Sequence, residues 1–114
     1  MTRRDVDAGT AMYARVSEED FMRQVVEAAK LLGWLYYHPH DSRHSPAGFP
    51  DLVLIRNGTL IFAELKSEDG KMTLEQLAWE RELIKTQEDS DGIVRHYIWR
   101  PHDIDKILRL FDKP

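Results

Sequence analysis

The chain has 114 residues, 42% of them hydrophobic and 32% charged, which suits the core of one domain and leaves no room for a second. Its 16 basic and 20 acidic residues give a net charge of −4, which excludes a protein that coats nucleic acid by bulk charge but not an enzyme that meets phosphate through a local basic patch. There is no cysteine, so disulfides and thiolate metal sites are excluded, and no apolar run approaches the about 18 residues of a membrane span. Arg3-Arg4 is followed by no apolar export segment, and a soluble protein of a reducing cytoplasm is expected.

Residues 1–16 show neither helical nor strand period and are expected to form a flexible arm, with 17–114 as the single domain. The arm's Arg3, Arg4 and Arg15 touch nucleic acid or nothing. Ser17 is the predicted N-cap of the first helix, with Asp20 three residues on and Phe21, Val25, Ala28 and Leu32 along one face. Gly33 ends it. The run "WLYYH" predicts a strand, and "PHDSRHSPAGFP" predicts a loop, because its prolines and glycine forbid regular structure. Between Trp34 and Pro50 lie His38, His40, Arg43 and His44 against a single acid, Asp41.

Two short apolar runs then flank Asn57-Gly58, the strongest two-residue hairpin signal, since both turn positions need φ > 0. If Arg56 pairs with Thr59, Asp51 faces Glu64. Alternation puts Asp51, Val53, Ile55, Leu60, Phe62, Glu64 and Lys66 on one face, with opposed Cβ atoms about 4.5–5.5 Å apart. We expect this face to point inward. Like charges so placed repel, so either this end of the hairpin is wet and its charges solvated, or it holds a counter-charge, for which a divalent cation with oxygen ligands is the natural candidate.

After "SEDGK", Thr73 and Gln76 form a second capping-box pattern, ahead of a helix carrying Leu74, Leu77, Ala78 and Ile84. Asp91-Gly92 opens a strand, "IVRHYIW", that Pro101 stops. Asp103 is the expected cap of a last helix with Ile104, Ile107, Leu108 and Phe111 inward. The order α-β-β-β-α-β-α predicts an α/β domain, a mixed sheet flanked by helices. Trp79 and Trp99 are read as core or interface residues rather than base-stacking platforms.

Pro50-Asp51, then thirteen residues from Asp51 to Glu64, then Glu64-Leu65-Lys66, resembles the motif of the PD-(D/E)xK nuclease superfamily. The wider chain resembles its virus-type replication-repair nuclease (VRR-NUC) group, in the capped helix before "LLGWLYYH", in "DSRHSPAGFPDLVL", in "TLEQLAWERELI" and in "YIWRPHDIDKIL". The resemblance covers Ser17 to Phe111. It implies a restriction-endonuclease-like fold and an endonuclease that hydrolyses DNA phosphodiesters with Mg2+ or Mn2+. Asp51, Glu64 and the backbone carbonyl of Leu65 would hold the cation, which activates a water for in-line attack. Lys66 would orient that water or stabilise the developing charge.

Gln76 matches the family's glutamine, although a Gln at that helix position is equally explained as a cap. The family's first-helix acid or amide falls on Met22, a departure. Glu18 lies near the buried helical face and is the substitute ligand, whereas Glu27 points away. Ser42, Arg43 and His44 are expected to contact DNA phosphate, because Arg forks suit phosphate oxygens. Zinc on His38, His40 and His44 is disfavoured, as no cysteine accompanies these loop residues. Small stand-alone members of the group are phage-encoded, which implies the cytoplasm of a bacterial or phage-infected cell, a homodimer, and four-way junctions as substrate. A restriction-type endonuclease on duplex DNA and a non-catalytic nucleic-acid-binding module are the alternatives.

Overall fold

A computed structural model describes residues 12–39 and 45–114. The expected phosphate contacts Ser42, Arg43 and His44 lie outside the described residues, as do His40, Arg3 and Arg4. Helix α1 (Glu18–Leu31) is followed by strands β1 (Leu35–Tyr37), β2 (Leu52–Arg56) and β3 (Thr59–Leu65), helix α2 (Leu74–Asp89), strand β4 (Val94–Trp99), a 3-10 turn (Pro101–Asp103) and helix α3 (Ile104–Asp112). The fold is α/β, with an open four-stranded sheet in the order β1-β2-β3-β4. The sheet is mixed, since β1, β2 and β3 run antiparallel and β4 lies parallel to β3 after the α2 crossover.

The local signals act as their chemistry requires. Ser17 Oγ accepts from Asp20 N–H at 3.0 Å and caps α1, and Gly33 leaves the helix at φ +84. Asn57 and Gly58 both hold positive φ, 49 and 76, and the turn sets Arg56 opposite Thr59 as expected. Residues 12–14 form a helical turn, and Val16 packs against the core, so packing reaches back before Ser17.

The main core lies on the sheet face opposite the one expected. Leu52, Leu54, Ile61, Ala63 and Leu65 are fully buried against Phe21, Val25 and Ala29 of α1 and Ile107 and Phe111 of α3. On the other face, Val53, Leu60 and Phe62 are half-buried and Ile55 is exposed. Alternation separates the two faces of a strand but does not say which one receives more helix. Each large buried side chain contributes about 1.5–3 kcal/mol, and Phe21→Ala would cost about 3–5 kcal/mol.

Smaller corrections follow from where the helices sit. The α1 stripe runs Phe21, Val25, Ala29, with Ala28 and Leu32 at its margin, and Leu108 of α3 is exposed. Asp103 does not cap α3 through its side chain. Its Oδ2 accepts from Arg100 N–H at 2.9 Å, because the 3-10 turn runs straight into the helix. In α2 only Leu83 is buried, while Leu74, Leu77, Ala78 and Ile84 are exposed. The carbonyl of Phe111 near the α3 C-terminus accepts from Trp34 Nε1 at 3.0 Å and Arg56 Nη1 at 2.7 Å, which ties that helix beneath the hairpin.

Candidate functional site

The hairpin ladder closes with Leu52 opposite Ala63, so the next pair outward is Asp51 and Glu64. Asp51 sits in a bend just before β2, and its Oδ2 accepts from Leu65 N–H at 2.9 Å, which pins the carboxylate to the end of β3. Nδ1 of His38 donates to the Asp51 backbone carbonyl at 2.9 Å, and so carries a proton. Glu64 is 2% exposed and Lys66 8%. The Lys66 backbone is fixed in turn, its N–H donating to Trp99 O at 2.9 Å across to β4.

Gln76 belongs both to a cap and to this cluster. Its N–H donates to Thr73 Oγ1 at 3.1 Å and its side-chain Oε1 accepts from Thr73 N–H at 2.9 Å, which completes the capping box of α2. Its Nε2 is left to donate to Glu64 Oε1, also at 2.9 Å. Since a backbone N–H needs an acceptor and a carboxylate oxygen needs a donor, both ends of the amide are assigned by their partners.

Glu18 reaches the same end of the sheet from α1. Burial raises its carboxyl above the usual range, the Asp51 charge adds to the rise, and Lys66 opposes it. Glu27 instead pairs with Lys30 in solvent, as its place on the helical wheel predicts. Glu18, Glu19, Met22, His38 and Asp51 line a cavity of about 310 Å³. Met22 thus supplies an apolar wall where a ligand was sought. A second cavity of about 220 Å³ lies between the Ser45–Asp51 segment and Gln76.

Glu64 is the most perturbed group. Burial pushes its carboxyl up to about 9, helped by the hydrogen bond and the charge of Asp51 and opposed by Lys66. Burial thus favours the protonated form of Glu64. No buried side-chain polar atom among the described residues lacks a hydrogen-bond partner, so these acids are held rather than stranded. The donor set is hard oxygen and suits Mg2+ or Mn2+, which accept one or two carboxylates and keep water for the rest. Among the described residues no group of three or more His, Cys, Asp or Glu is assembled as a metal site.

Sequence reasoning missed three supports. Gly48 lies against α2 so closely that a Cβ would stand 2.4 Å from Glu75 C and O, and "GFPD" held the one signal for it. Trp79 Nε1 donates to Ala47 O at 3.1 Å and its ring meets Phe49 at 5.2 Å, so Trp79 clamps the loop before Asp51. Arg100 bonds the segment after Lys66, with no periodic signal to mark it. Trp99 is a core residue stacked on Tyr97. No family model, curated protein or solved structure matches the chain. No helix among the described residues is long and apolar enough to cross a membrane.

Proposed function

We propose that this protein is a metal-dependent DNA endonuclease with the PD-(D/E)xK fold and chemistry of the VRR-NUC group. The observation that carries the reading is the buried Glu64, held by Gln76 Nε2 one ladder step beyond the Leu52–Ala63 pair where Asp51 enters the hairpin, with the buried Lys66 two residues on. Such a pair is costly to a fold that has no use for it, because a buried carboxyl that must ionise loses its hydration. Asp51 and Glu64, with the Leu65 carbonyl, are the residues that would hold Mg2+ or Mn2+. The bound cation supplies positive charge that polarises phosphate oxygens and acidifies a water.

The chain's own groups do the positioning. Gln76 aims Glu64 through its Nε2–H, and Leu65 N–H aims Asp51. The Lys66 ammonium brings a fixed positive charge to where negative charge gathers on the phosphate oxygens in the transition state.

The substrate we favour is branched DNA, four-way junctions above all, cut by a homodimer, since symmetric incision needs two sites related by a two-fold axis. Exposed Leu74, Leu77 and Ile84 on α2 and Leu35 and Tyr37 on β1 supply apolar area that a second copy would cover. The test is incubation with labelled junction, flap and linear duplex in Mg2+ or EDTA, beside light scattering. Symmetric nicks in the junction by a dimer, abolished by EDTA, are expected. A monomer that cuts linear duplex efficiently would favour the restriction-type alternative, and binding without cutting in Mg2+ or Mn2+ would leave a non-catalytic module.

A further inference from the structure

We propose that Arg100 is a positioning residue that holds the segment linking Lys66 to Gln76, and through it the spacing of the two residues that flank Glu64. The inference rests on the endonuclease reading for its catalytic consequence, but not for its structural one. Arg100 directly follows β4 and is half-buried. Its Nη1 donates to the carbonyls of Ser67 and Gly70 at 2.7 Å each, with a longer contact of 3.3 Å to Glu68 O. These are the carbonyls of the chain leaving Lys66. Three residues beyond Gly70 stands Thr73, the cap that shares Gln76.

The two strands of the linkage are fixed at their bases. Lys66 N–H donates to Trp99 O, the residue before Arg100, and Arg100 N–H is held by Asp103 Oδ2 at 2.9 Å. Glu68 adds a second tie, accepting from His102 N–H at 2.8 Å and from His102 Nδ1 at 2.9 Å. A loop between a strand end and a helix cap would otherwise be a low-stability opening unit. Carbonyls gathered on one nitrogen of a guanidinium make charge-assisted bonds. Arg100 therefore acts through Lys66 and Gln76 and touches no reacting group.

The experiment is hydrogen exchange on the full chain, wild-type against Arg100→Ala, with Mg2+ binding by calorimetry and junction cleavage measured alongside. Exchange at residues 67–76 should rise at least about tenfold, as expected for losing bonds to a charged group, while the amides of Ile61 and Ala63 keep their protection. Cleavage should fall with Mg2+ affinity little changed, and millimolar guanidinium should restore both exchange protection and rate. Unchanged exchange at 67–76, or an equal rise throughout the chain, would overturn the proposal. If Arg100→Ala does not fold, Arg100→Met, which keeps an apolar stem but has no donor, takes its place, and wild-type exchange at 67–76 in that variant would overturn the proposal equally. A wild-type chain that cuts no DNA would sink the endonuclease reading, yet leave the exchange result to judge Arg100 on its own.

Discussion

Gln76 and Glu64 are joined by a 2.9 Å hydrogen bond from Nε2 to Oε1, made by the same amide whose Oε1 closes the capping box of α2 at Thr73. One side chain thus ties the start of a helix to a buried carboxyl at the end of a sheet. The two roles separate by substitution. Gln76→Glu keeps an acceptor at the third helical position, so the cap survives, but it sets a carboxylate against Glu64. Gln76→Ala removes the side-chain half of the capping box as well as the bond to Glu64, while Thr73 Oγ1 keeps its backbone partner. We expect both to lower cleavage by about 10- to 100-fold, the range for a residue that orients a metal ligand. Thermal denaturation should show the cap loss in Gln76→Ala only. Wild-type cleavage by Gln76→Ala would reduce the residue to a cap.

Glu64 gives the fold a pH dependence whose sign follows from its raised carboxyl, ordinarily near 4.5 and here about 9. The native state binds the proton more tightly than the unfolded chain does. The stabilisation is therefore complete below about pH 4.5 and is lost as pH rises toward 9. In EDTA the melting temperature should fall across this window, and Glu64→Gln should flatten that fall. Mg2+ affinity should rise with pH over the same range, because binding must release the proton. A melting temperature that climbs from pH 5 to 9 in EDTA would contradict the assignment.

Asp51 and Glu64 should part from Lys66 in binding experiments. If Asp51 and Glu64 are the ligands proposed, calorimetric Mg2+ binding and cleavage should vanish together in Asp51→Ala and Glu64→Ala, by more than the about 100-fold cost of losing an outer partner. Lys66→Ala should lower the rate constant with little change in Mg2+ affinity, the signature of a group that acts on the transition state. Loss of metal binding in Lys66→Ala would instead make the lysine part of the cation's support.

Gly48 and Gly58 form a matched pair for testing the loop that carries Asp51. Both hold positive φ, +84 and +76, but a Cβ at Gly58 meets nothing within 4 Å, whereas one at Gly48 would strike Glu75 C and O at 2.4 Å. Gly58→Ala should cost only the left-handed backbone penalty of about 1–2 kcal/mol. Gly48→Ala should cost clearly more, and should lower cleavage as well, because it pushes the first turn of α2 and Gln76 away from Glu64. Equal melting temperatures for the two variants would show that the loop yields without moving the helix.

The sequence by itself determined the elements whose causes are local. Asn57-Gly58 demands its turn, the turn sets the register, and a period of two then places Asp51 opposite Glu64 without reference to the rest of the chain. Ser17 and Thr73 cap their helices through partners three residues away, for the same reason. Only the tertiary structure decided which sheet face is the main core, since both faces of the hairpin are apolar and the choice depends on where α1 and α3 pack. The arrival of Glu18 beside Asp51, the bond from Gln76 to Glu64, and the reach of Arg100 to Ser67 and Gly70 belong to the same class. Each joins residues brought together by helix placement and strand crossover, and such contacts follow from the burial of whole helical faces rather than from any spacing within one segment.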